Sequence, residues 1–221
     1  MAVTLAEEIM LLSLDDESGA VRERQSAAWA VAGGILLDLV LAGRVAVEEG
    51  RLRVTDPTPT ETPLLDERLL RIAAWAARRR RDPKVTEWLT KDHTKAVKAT
   101  TDSLRARGLV REEQRRVLGV FPVTRHPEAE GATEHELRDR LRAVVLEGAE
   151  PDTRTAGLVA LVHGAKLHRL AFPGVPRKEI APRLDEIAAG QWAAEGVRHA
   201  IRDMQAAMVA VMTVTVLTAT T

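Results

Sequence analysis

The sequence predicts a mainly α fold: a single globular helical domain spanning residues 1–221, with two short β-hairpins, one of them projecting. Three observations carry that expectation. Apolar residues recur at helical spacing through most of the chain, as in Leu65, Leu69, Ile72 and Ala76. Two short stretches switch to strand-like runs around polar turns, Val45–Val54 and Leu109–Val123. Neither a tandem repeat nor a low-complexity linker divides the chain, and its 221 residues suffice for one sizeable core.

Leu5–Leu14 reads as the first helix, with Thr4 and Glu7 at the spacing of a capping box. Asp15–Gly19 makes a turn, and a second helix runs from about Gln25 to Ala42. Gly33 and Gly34 lie inside its apolar face, where each costs roughly 0.5–1 kcal/mol against alanine unless another backbone packs closely there. Gly43 stops that helix, and Val45 and Val47 pair across Glu48-Glu49-Gly50 with Leu52 and Val54. Asp56–Pro63, with three prolines and three threonines between polar residues, is an exposed connection. Helices follow over Leu64–Arg79, Val85–Leu89 and Asp92–Arg107. The second hairpin is expected to pair Leu109–Val110 with Val117–Val123 across the polar run Arg111–Arg116. Thr133 with Glu136 predicts another capped helix start. The remaining helices are Asp152–His168, Arg177–Ala189 and Gln191–Met212, the last fraying into a tail.

Composition excludes several classes. Without cysteine there are no disulfides and no thiolate metal sites. The N-terminus carries Glu7 and Glu8 and no basic lead-in, unlike a secretory signal. The apolar run Ala206–Ala219 is short for a membrane span, which takes roughly 17–25 residues. From these features we expect a cytoplasmic protein. The sequence contains no GxGxxG, Walker, HExxH or GxSxG motif. We therefore expect no enzyme, no catalytic residue, no cofactor and no bound metal.

Formal charge is zero, but it is unevenly spread: Arg71–Arg107 holds eleven Lys or Arg against four Asp or Glu, while residues 1–20 are acidic. Arg78–Arg81 ends a helix, where the helix dipole accounts for one or two cations. Four in a row repel one another unless solvated or matched to anions. A basic helix followed by a hairpin also resembles a winged-helix DNA-binding unit. Base readout favours Arg, Asn or Gln, and Asp92–Arg107 has no Asn or Gln and no arginine before Arg105, so nucleic acid is not the expected partner.

LLSLDDESG (11–19), GGILLDLVLAGRV (33–45) and LLDERL (64–69) resemble the bacterial branch of the Golgi phosphoprotein 3 (GPP34) family. RARGLV (105–110), VLGVFPVTRHP (117–127) and TRTAGLVALVHGAKLHRLAF (153–172) extend the likeness over roughly residues 4–212. The resemblance implies a helical peripheral membrane protein that binds phosphatidylinositol 4-phosphate through a basic pocket beside a membrane-contacting hairpin, and serves as an adaptor. By the same match the family's pocket tryptophan and arginines fall at Glu23, Ala32, Thr94 and Val97, none of which keeps the residue type. Arg22, Arg24, Lys95 and Lys98 flank those positions and, with Arg115 and Arg116, are the candidate lipid-headgroup contacts. Val117, Leu118, Val120 and Phe121 are the candidate membrane contacts.

The expected function is thus recognition of anionic or phosphoinositide headgroups, peripherally at the inner face of the membrane. The alternatives are a winged-helix-like regulator and a protein-interaction scaffold. A protein client and self-association through the hairpin stay open as partners.

Overall fold

A computed structural model describes residues 3–15, 20–111, 113–117, 121–125, 132–189 and 195–219. Among them the chain forms nine helices and two separate two-stranded antiparallel sheets.

Helix α1 (Leu5–Ser13) starts at the anticipated capping box: the Glu7 N–H donates to Thr4 Oγ1 at 3.2 Å, and the Thr4 N–H donates to Glu7 Oε2 at 2.7 Å. All nine of its residues are buried, the two glutamates included. Helix α2 (Arg24–Leu41) is the central element, with Ala27–Leu39 buried without interruption. A helix apolar all round is covered on every side, and here α1, α4, α6 and α9 surround it. Gly34 explains how: a Cβ there would lie 2.8 Å from the Ala6 backbone nitrogen. The expected close approach is therefore made by α1.

The first hairpin pairs β1 (Val45–Glu48) with β2 (Arg51–Val54), Val47 opposite Leu52. Its two turn residues, Glu49 and Gly50, both have positive φ (51° and 69°), as a type I′ turn requires. The ribbon buries Val45, Val47 and Leu52. The Gly50 N–H donates to Asp203 Oδ2 at 2.8 Å, tying this turn to α9.

Helix α3 (Pro63–Ala76) opens with proline at its first position. Helix α4 (Val85–Ala106) is continuous where the sequence suggested two helices. Thr90 and Lys91 carry no breaker chemistry, and the buried spacing Val85, Trp88, Leu89, Asp92, Ala96 runs straight across them. Trp88 is core, at 2% exposure.

In the second hairpin, β3 (Glu113–Val117) pairs with β4 (Phe121–Arg125), Val117 opposite Phe121. This corrects the expected register. The polar run Arg111–Arg116 is not the turn: Arg115 and Arg116 occupy β3, paired with Val123 and Pro122. Charge in the run suggested a turn, but a strand that is not packed between layers needs no apolar alternation. Among the described residues, β1–β2 packs on α2, α3 and α9, whereas the substantial packing of β3 and β4 is with each other.

Helix α5 (Ala132–Val145) begins before Thr133, which sits inside it and not at its cap. Asp152 caps α6 (Thr153–Gly164), accepting from the Thr155 N–H at 2.6 Å. That bond holds the Asp152 carboxyl below the usual range. The expected single helix to His168 breaks at Lys166, which adopts φ 58°, and α7 (His168–Ala171) follows as a separate turn. Helix α8 (Arg177–Ala188) covers α6, and α9 (Glu195–Ala219) runs past Met212 along α2, α4 and α6.

Candidate functional site

On α4 the buried positions fix the register of the exposed ones. Lys91, Lys95 and Lys98, at i, i+4 and i+7, form one exposed ridge. Lys98 Nζ pairs with Asp102 Oδ2 at 2.6 Å. Among the described residues no carboxylate pairs with Lys91 or Lys95. Beneath the ridge, Arg68 of α3 donates through Nη1 to Asp92 Oδ1 and through Nη2 to the Lys95 carbonyl, both at 2.8 Å. The two side-chain partners are 2% and 3% exposed. Burial raises the pKa of Asp92, and the nearby charges of Arg68, Arg71 and Lys95 oppose that rise. Arg68 thus locks the backbone that carries Lys95.

Arg22 lies in an exposed turn whose N–H donates to the Ser13 carbonyl at 2.7 Å, and Arg24 is the exposed first residue of α2. Between them Glu23 takes a left-handed conformation with φ 46°. Five residues into α2, Trp29 stacks on His93 of α4, ring centroids 4.1 Å apart and planes 16° off parallel. His93 Nδ1 lies 3.2 Å from the Leu89 carbonyl and 3.1 Å from that of Thr90, so this nitrogen is the donor when it carries the proton. The stack joins the α2 segment bearing Arg24 to the α4 segment bearing Lys91 and Lys95.

Arg79 turns back from the four-arginine run. It donates to Glu87 Oε2 at 2.8 Å, and its guanidinium sits 4.9 Å above the Trp75 ring, which itself lies 5.2 Å from the Trp88 ring. An open cleft of about 610 Å³ is walled by Arg79, Trp29, Thr90, Ala210 and Val211.

The hairpin candidates are placed less fully. Arg115 and Arg116 are paired in β3 with Val123 and Pro122, and Val117 with Phe121. For these four candidates (Arg115, Arg116, Val117, Phe121) the description stops at the backbone, and Leu118 and Val120 lie outside the described residues, as do His126 and Trp192.

A second polar assembly, which the sequence did not reveal, anchors α1. Glu7 accepts from Ser103 at 2.8 Å and from Arg107 at 2.7 Å. Glu8 meets Arg140 at 2.9 Å and Arg154 at 3.5 Å. Asp38 accepts from Arg154 Nη1 at 2.6 Å and from the Leu5 N–H at 2.7 Å. Burial pushes the Asp38 carboxyl up to about 6, against the pull of Arg154. Each buried acid is met by an arginine from another element, as burial of charge demands. The only sequence signal was the pair Glu7-Glu8 inside an otherwise apolar helix.

A model of the Golgi phosphoprotein 3 (GPP34) family matches residues 5–204. The chain belongs to the GPP34 family. No curated protein matches it. Membership in GPP34 is consistent with lipid or phosphoinositide binding in general. The positions to which the family's pocket residues map are scattered in environment. Ala32 is buried in α2, Val97 is partly buried, and Glu23 and Thr94 are exposed. No described helix of this GPP34 chain is long and apolar enough to cross a membrane.

Proposed function

We propose that this GPP34-family protein is a non-enzymatic domain that docks peripherally on the inner, cytoplasmic face of a membrane by recognising acidic or phosphorylated lipid headgroups. The observation that carries the reading is the exposed α4 ridge, where Lys91 and Lys95 have no carboxylate partner among the described residues. Arg22, in the turn before α2, and Arg24, its first residue, lead into the helix that stacks against α4, and Arg115 and Arg116 follow in the second ribbon. Near an anionic surface each such residue contributes about 1 kcal/mol. A pocket specific for the 4-phosphate needs cations at positions 32, 94 and 97, where this chain has Ala, Thr and Val. We therefore favour general anionic recognition. Val117, Leu118, Val120 and Phe121 supply apolar groups for shallow insertion, and an adaptor role toward a protein client fits the same placement.

Flotation with vesicles tests the reading. Recovery with anionic vesicles at low salt should exceed recovery with neutral ones, and Lys95→Glu with Lys98→Glu should lower it on the order of tenfold or more. Equal recovery with both vesicle types would sink the proposal.

A further inference from the structure

We propose that the segment Arg78–Arg81, between α3 and α4, is a second contact for an anionic phospholipid bilayer, holding the Trp29 end of the molecule against the phosphate layer. It rests on the anionic-lipid reading above and adds residues that reading does not use.

Among the described residues, Arg79 of the four arginines is the one in an ion pair, with Glu87, and it also lies over the face of Trp75. Arg78, Arg80 and Arg81 are exposed, and among the described residues none has a carboxylate partner. A single acid, Asp82, directly follows the segment, and exposed Lys84 adds a further cation. Neighbouring guanidiniums repel, so such a surface gains most from a partner that presents many anions at once. Arg24 sits at the same end: it precedes Trp29 by five residues, about 7.5 Å along the axis of α2, and Trp29 and Arg79 wall one cleft.

Apolar groups interleaved with the charge favour a bilayer over other polyanions. Leu70 is 67% exposed on α3, and Ala74 and Ala77 continue the same exposed ridge toward Arg78. On the far side of the cleft Val209 is 52% exposed, next to Ala210. A nucleic acid offers phosphates to the arginines but nothing to these side chains. A bilayer offers phosphates above an apolar layer, the pairing that surface-lying basic and apolar elements use.

The test uses the full chain and vesicles of phosphatidylcholine with and without phosphatidylserine at low salt. The triple substitution Arg78→Ala, Arg80→Ala, Arg81→Ala touches only exposed side chains and should keep the far-UV circular dichroism of the parent. It should weaken binding to the anionic vesicles on the order of 100-fold. Because the chain has no cysteine, a single Ala77→Cys can carry an environment-sensitive dye. That dye should shift to the blue on anionic vesicles, while one at Leu146→Cys, beyond α5, should not. Unchanged affinity of the triple variant, beside intact binding by the parent, overturns this contact and leaves the wider reading standing. Failure of the parent on both vesicle types overturns both. Loss of duplex-DNA binding in the triple variant with vesicle binding intact makes the segment a nucleic-acid contact and also overturns the proposal.

Discussion

Asp38 shows how one side chain ties stability to pH. Its folded-state carboxyl titrates at about 6 against an ordinary 3.8, because burial disfavours its charge. The folded protein therefore binds a proton that the unfolded chain has released between those values. The stability this confers is present below 3.8 and is lost as pH rises through about 6. Asp38→Asn removes that dependence. The unfolding free energy of the parent minus that of Asp38→Asn should fall by roughly 2 kcal/mol between about pH 4.5 and 7. Urea titrations across that range measure it, and a difference that stays flat or rises contradicts the assignment. Asp38 and Glu8 were not legible from sequence, because their partners Arg154 and Arg140 lie more than a hundred residues away and are indistinguishable there from surface arginines. Thr4 and Glu7 were legible, because their first bonds are local.

At the scale of elements, the two glycines of α2 do different work. A Cβ at Gly34 meets the backbone of Ala6, which cannot yield unless α1 moves; one at Gly33 meets the tip of the Leu161 side chain at 2.9 Å, which can turn aside. Alanine regains about 0.5–1 kcal/mol of helix propensity at either site. Gly34→Ala should therefore destabilise by about 1–3 kcal/mol and Gly33→Ala by clearly less, as compared by their urea midpoints. Equal effects would mean that α1 does not approach α2 as described. Elements with local signatures were read correctly: the capped α1, the glycine-stopped α2 and the Glu49-Gly50 hairpin. Those misread lack such signatures. The strand Glu113–Val117 is mostly charged and polar, and the left-handed turn at Lys166 falls on a residue that does not announce it. The second cap was misplaced because Thr133 and Glu136 match a motif whose sequence recurs inside helices.

Over the whole molecule charge cancels, so attraction to an anionic surface depends on local arrangement and not on the total. The basic residues of 71–107 fold onto α3, α4 and the loop between them, while the acids of the first helix are consumed inside by arginines. Exposed charge interacts over a screening length of about 10 Å at roughly 0.1 M salt. Vesicle binding should therefore fall at least about tenfold when salt rises from about 0.05 to 0.3 M, as cosedimentation would report. Salt-insensitive binding would assign the contact to apolar insertion instead. The basic helix was visible in the sequence, and the hairpin after it was visible without its register. The stack of Trp29 on His93 was not, since nothing local pairs an α2 tryptophan with an α4 histidine.

Helix α9 lies along a trough formed by α2, α4 and α6, with Met208 over Gly33 and Gly164, and reaches back to the first hairpin through Asp203 and Gly50. Everything it covers is synthesised before it. While the chain is still on the ribosome, that trough stays open and apolar until residues 200–211 have emerged. The nascent protein is then most exposed to mispairing with its neighbours, and the core over α2, α4 and α6 closes only when α9 arrives.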